Sequence, residues 1–210
     1  MKQTLDTDYS TWQLAWQNPV FRKKFFQSFS ASLLALGILP FFFDFIEARP
    51  GVLLNDWSLA QIPAYDMSKW VFGFLWGTGL FMLWRVVHQP LLAVPLLAGY
   101  ALLTYTRMAT ILLFPLEAPL GLIELADPIS NQFYGNKFIT KDLFFSGHTS
   151  AVFLFAFSLE KFREKLFVGL CATAVGILVL VQHVHYTIDV AVAPFATYFI
   201  CQLAKKWATN

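Results

Sequence analysis

Six apolar runs dominate the chain, near residues 28–46, 70–87, 90–108, 146–159, 166–182 and 186–204. A run of that length in lipid satisfies its backbone internally only as a helix. Within 210 residues the connections leave no room for a separate soluble domain. Charged residues make up 13% of the chain and hydrophobic residues 57%, whereas a soluble domain usually carries about 25% and 45–50%. A water-soluble globule and intrinsic disorder are therefore excluded. The expected fold is all-α: a polytopic membrane protein of about six transmembrane helices, with residues 1–24 as an N-terminal cytoplasmic or interfacial segment and residues 25–210 as the six-span domain. The fourth run is short for a full crossing and suits a helix that begins below the membrane surface in a polar recess.

Lys and Arg placement orients such a bundle. Lys2, Arg22, Lys23, Lys24, Arg85, Lys161, Arg163, Lys165, Lys205 and Lys206 fall on one side, and Arg49, Lys69, Arg107, Lys137 and Lys141 on the other. Both termini are thus expected in the cytoplasm, as in a bacterial inner membrane or its equivalent. Asp6 and Asp8 do not suit a signal peptide, so the first span is expected to be retained. Trp12 and Trp16, four apart, share a face of a short helix ending near Asn18-Pro19, and with Arg22-Lys23-Lys24 they read as an interfacial anchor. A net charge of +2 with no long basic cluster argues against a nucleic-acid partner. Cys171 and Cys201 lie inside apolar runs and read as buried packing.

With that topology His148, His183, His185, Asp142 and Asp189 gather on the non-cytoplasmic side. Ionisable groups from several spans at membrane depth mark a functional site. In Asp142-Leu-Phe-Phe-Ser146-Gly147-His148-Thr149, Ser146 is a plausible helix cap and Gly147 lets backbone approach a ligand. A helix starting there aims N–H groups at an anion. In His185-Tyr186-Thr187-Ile188-Asp189, a helix over 185–189 places His185 and Asp189 on one face, so that the carboxylate accepts a proton from one imidazole nitrogen and leaves the other to attack. An ordinary Ser cap and a buried polar contact between spans are the structural alternatives.

Together these two stretches resemble the two catalytic motifs of the sphingomyelin synthases, membrane members of the type 2 phosphatidic acid phosphatase (PAP2) superfamily. Arg107-Met-Ala-Thr110 with Pro115, and Pro63-Ala-Tyr-Asp66, are weaker matches to upstream motifs. Thr140-Lys141 stands where the synthases have Cys-Gly, whereas Phe145 and Leu178-Val179 stand where the phosphatase branch has Pro and Ser-Arg. The synthase-like branch is the better fit. The resemblance implies a six-span core with a catalytic triad of His148, His185 and Asp189 facing the exoplasmic side. His185 attacks phosphorus, Asp189 orients it, and His148 protonates the leaving alcohol through a phosphohistidine intermediate. Arg107, Asp142, Ser146, Gly147, Thr149 and Tyr186 are the expected substrate-binding residues. No metal or cofactor is expected.

The expected activity is transfer of a phospho head group from a phospholipid donor to a lipid alcohol acceptor. Hydrolysis of a lipid phosphate is the alternative. Two further classes stay open on the residues alone: a metal site using His148, His183, His185 and Asp189, and a non-catalytic transporter or scaffold whose polar groups only pack helices.

Overall fold

The computed structural model describes residues 11–126 and 138–210; Lys2, Asp6, Asp8 and Lys137 lie outside them. Among the described residues the regular structure is helical, with one isolated bridge between Val52 and Leu116. Seven α-helices follow in order: α1 (Trp12–Gln17), α2 (Pro19–Ala48), α3 (Ser68–His88), α4 (Ala93–Leu113), α5 (Gly147–Ser158), α6 (Phe162–Val181) and α7 (Thr187–Thr209). Five of them, α2, α3, α4 with its preceding 3-10 turn, α6 and α7, are long and apolar enough to cross a membrane. Phe41, Leu80, Leu113, Leu170, Phe195 and Phe199 are exposed on these helices, as expected where the solvent is lipid.

The Trp12/Trp16 helix forms as expected and packs its rings against Phe21 and Phe25. The first span differs: α2 starts at Pro19, nine residues before the apolar run. Asn18 sets that start, its Oδ1 accepting from the N–H groups of Val20 (2.8 Å) and Phe21 (3.3 Å) with Pro19 in the first helical position. Arg22-Lys23-Lys24 are therefore part of the helix.

The fourth run forms α5, which at 12 residues is only about 18 Å long and does not cross the bilayer alone. It occupies the middle of the bundle. Helices α3, α4, α6 and α7 all pack on it, α2 lies outside α4, and none of its residues is exposed. An evenly apolar helix is stable in such a place. Small residues allow the close approach: a Cβ on Gly99 would meet Leu154 at 2.9 Å, and one on Gly176 would meet Val190 at 2.9 Å. Cys171 and Cys201 are buried free thiols in these interfaces. Consecutive helices α3 and α4 share no extended interface and each packs on α5 instead.

Candidate active site

The site forms where α5 and α7 begin. Ser146 caps α5, its hydroxyl oxygen facing the Thr149 N–H (3.5 Å) while its O–H donates to Thr149 Oγ1 (3.0 Å). The Ser146 N–H donates to the Asp189 carbonyl at 3.1 Å. That bond locks the two helix starts together and sets His148, the second residue of α5, against His185. The imidazole centres are 6.4 Å apart with planes at 64°, close enough for one phosphate group to reach both rings.

His185 and Asp189 do meet, but not on one helix face as expected. Helix α7 begins only at Thr187, and residues 182–186 form a turn in which His183 has φ 57°. Asp189 folds back as the third residue of α7. Its Oδ2 accepts from the Tyr186 N–H at 3.0 Å and lies 3.4 Å from His185 Nδ1, a distance at the long end for a hydrogen bond. Both side chains are buried, at 3% and 0% exposure. Asp189 Oδ1 is also buried, with no hydrogen-bond partner among the described residues.

Arg107 reaches the same corner from α4. Its Nε donates to the Phe145 carbonyl at 2.8 Å and its Nη2 pairs with Asp142 at 2.7 Å. Thr110 ties the same turn to the loop by donating to the Phe144 carbonyl at 2.8 Å. The guanidinium has five N–H groups; the Nη1 edge remains beside the first turn of α5, where the helix N-terminus adds positive potential. Fixed cationic N–H donors next to two imidazoles suit a group that carries phosphate oxygens.

Not every expected residue lines this corner. His148, His185, Asp189, Arg107, Asp142, Ser146, Gly147 and Thr149 come together. Tyr186 is 1% exposed and packs with Leu59 and Leu143. Its hydroxyl donates to the Glu117 carbonyl (2.9 Å) and accepts from the Leu54 N–H (3.2 Å), so it props the loops at this end of the bundle. His183 turns away as well, with Nδ1 2.9 Å from the Leu120 carbonyl and Nε2 2.8 Å from the Ile62 carbonyl. Among the described residues no group of three or more His, Cys, Asp or Glu is placed to hold a metal ion. His183 is thus not brought to the other three potential ligands. Asp66, in the weak upstream match, lies just ahead of α3 and accepts from the Ser68 N–H (2.9 Å) and hydroxyl (2.6 Å).

Two contributors were missed in the sequence. Phe72 of α3 sets its ring edge-on to His148 at 6.0 Å. Glu47, at the end of α2, accepts from the Thr140 N–H (2.7 Å), the Lys141 N–H (2.7 Å) and the Thr140 hydroxyl (2.9 Å). It thereby holds the loop segment that delivers Asp142 to Arg107. An acid near the end of a span is the only sequence signal of that role.

No curated protein matches the sequence. Residues 141–206 match the family model described as PAP2 superfamily C-terminal. The matched segment is about a third of the chain and holds Asp142, His148, His185 and Asp189.

Proposed function

We propose that the protein is a membrane lipid phosphotransferase that moves a phospho head group from a phospholipid donor to a lipid alcohol acceptor. The observation that carries this reading is the grouping of half-buried His148 with buried His185 and Asp189 beside Arg107. Its placement among helices long and apolar enough to cross a membrane supports a lipid substrate.

His185 Nε2 attacks phosphorus while the P–O bond to the donor alcohol breaks, and protonated His148 gives that oxygen its proton. Asp189 accepts from Nδ1–H and stabilises the cationic ring. The phosphohistidine is then resolved in reverse: His148 takes the acceptor hydroxyl proton as the oxygen attacks and the P–N bond breaks. Arg107 and the start of α5 hold the phosphate oxygens through both steps. On the charge reading the site faces away from the cytoplasm.

Water in place of the lipid alcohol makes the same machinery a lipid phosphatase. Burial of His185 and Asp189 favours transfer, because a site that excludes water protects the intermediate. The purified protein is incubated with labelled phospholipid and either ceramide or diacylglycerol. A new labelled lipid supports transfer, and release of head-group phosphate alone replaces it with hydrolysis.

A further inference from the structure

The two ends of the bundle use their cations differently. At the His end the described bases are engaged within the fold: Arg49 donates to the Ile111 and Leu112 carbonyls, Arg107 pairs with Asp142, and Lys141 pairs with Glu117. The exception is Lys69, which is exposed near Asp66 and has no hydrogen bond or ion pair among the described residues. Helix α7 runs from that end for 23 residues, about 34 Å, so its last turn marks the opposite membrane boundary. There Arg85 and Lys161 pair with Glu164, and Lys205 donates to the Phe157 carbonyl. Arg22, Lys23, Arg163, Lys165 and Lys206 have no side-chain partner among the described residues.

One of these unpartnered cations lines a built cleft. Lys23 shares an open cavity of about 380 Å³ with Pro19, Val20, Lys24, Gln27 and Trp207, between the start of α2 and the end of α7. Lys24 fixes the far wall. Its ammonium donates to the Trp207 and Ala208 carbonyls at 2.7 and 2.8 Å and stands 5.5 Å from the Trp207 ring centre. Lys23 and Gln27 are one helical turn apart, so an ammonium and an amide face the same space. Pro19, Val20 and the Trp207 ring make the rest of the wall apolar. Cations above an apolar wall, with a Trp at the bilayer boundary, match a phosphate whose other end is hydrocarbon.

We propose that this cleft binds the head group of an anionic phospholipid, with Lys23 as the ionic contact to its phosphate, Gln27 as a hydrogen-bond donor, and the acyl chains in the adjoining bilayer. The site is separate from the one at His148 and independent of the reaction performed there. A soluble anion has no use for the apolar wall, and a zwitterionic lipid gains less from two neighbouring ammonium groups.

The test is native mass spectrometry of the full-length protein titrated with phosphatidylglycerol or phosphatidylcholine. Phosphatidylglycerol adducts are expected at several-fold lower lipid concentration. Lys23→Glu is expected to weaken phosphatidylglycerol binding about tenfold. Arg163→Glu, which changes an exposed unpartnered cation on α6 outside the cleft, is expected to have little effect. Equal binding of the two lipids, or equal loss in the two variants, overturns the proposal. Displacement of the lipid by excess inorganic phosphate also overturns it, since the cleft then reads a free anion.

Discussion

The guanidinium of Arg107 lies directly on the backbone of Gly147: a Cβ built there would sit 2.5 Å from Nη1 and 2.6 Å from Cζ. With Nε and Nη2 held by Phe145 and Asp142, the cation has little freedom to move aside. The absence of a side chain at Gly147 therefore decides where a positive charge sits relative to His148, one residue further on.

Gly147→Ala is accordingly expected to cut turnover by about 100-fold, the scale for loss of one preorganised charge-stabilising donor. Arg107→Ala is expected to do the same, and the double variant to be scarcely worse than either single one, because both remove one interaction. Labelled-lipid turnover, with melting temperature to verify folding, checks this. Additive losses would mean that the two residues act separately.

The His pair separates by step. His185→Ala is expected to abolish covalent labelling of the protein by a donor carrying radioactive phosphate. His148→Ala is expected to permit slow labelling yet block transfer to the acceptor, since the phosphoryl group has a nucleophile but no proton shuttle. Asp189→Asn keeps an acceptor for the Tyr186 N–H but removes the charge beside His185 Nδ1. A loss of up to about 10⁴-fold in turnover is expected, the scale known for removing an orienting carboxylate from a triad. Acid-labile label retained in His185→Ala would place the nucleophile elsewhere.

What was legible in the sequence was local. The apolar runs, the Ser146 cap and the Trp12/Trp16 helix depend on neighbours a few residues away, and they form where expected. The start of α2 was misjudged because its charged residues look like an interruption, whereas the Asn18-Pro19 cap governs it. His183 and Tyr186 belong to the same polar motif as His185 by sequence. Their places are set by carbonyls of Ile62, Leu120 and Glu117, which no local pattern announces. The grouping of His148, His185 and Asp189 was readable because they sit within a few residues of helix starts, and a single bond from Ser146 to Asp189 brings those starts together.

Tyr186→Phe distinguishes a prop from a substrate contact. It leaves the Leu54 N–H and the Glu117 carbonyl without the hydroxyl they share, which is expected to destabilise the protein by about 1–3 kcal/mol. A lower melting temperature in detergent with KM nearly unchanged is the expected result. A raised KM at unchanged melting temperature would return Tyr186 to the substrate.

Acid is expected to loosen the loops at the His end first. The Lys141 ammonium and the Gly51 N–H hold the Glu117 carboxyl below its usual range, and the Ser68 hydroxyl and N–H do so for Asp66. For Asp56, burial pushes upward but is outweighed by N–H donors from Leu59 and Thr187 and by the Thr187 hydroxyl. A carboxyl whose folded pKa lies below its unfolded value stabilises the fold above that unfolded value, and the contribution is lost as pH falls through the folded one. Amide exchange in residues 50–66 and 114–126, corrected for its intrinsic pH dependence, should therefore rise below about pH 4, ahead of exchange within α2 and α4. Asp56→Asn should shrink that rise. A pH-independent exchange pattern would show that these carboxylates do not hold the loops.

Glu47 provides the sharpest test of how the site is supported from a distance. Its Oε1 receives both the Thr140 and Lys141 N–H groups, and Oε2 receives only the Thr140 hydroxyl. Gln can reproduce the Oε1 bonds, and the Thr140 hydroxyl can reverse to accept from its amide. Leu can do neither and leaves two half-buried N–H groups unpaired, each a loss of about 1–3 kcal/mol. Glu47→Gln is expected to stay within about threefold of the parent in turnover, and Glu47→Leu to lose about tenfold or more, because the loop segment that presents Asp142 to Arg107 is no longer anchored. Turnover and melting temperature of both variants decide the matter. Equal, large losses would assign importance to the negative charge of Glu47 itself, and equal activity would show that Asp142 is positioned without it.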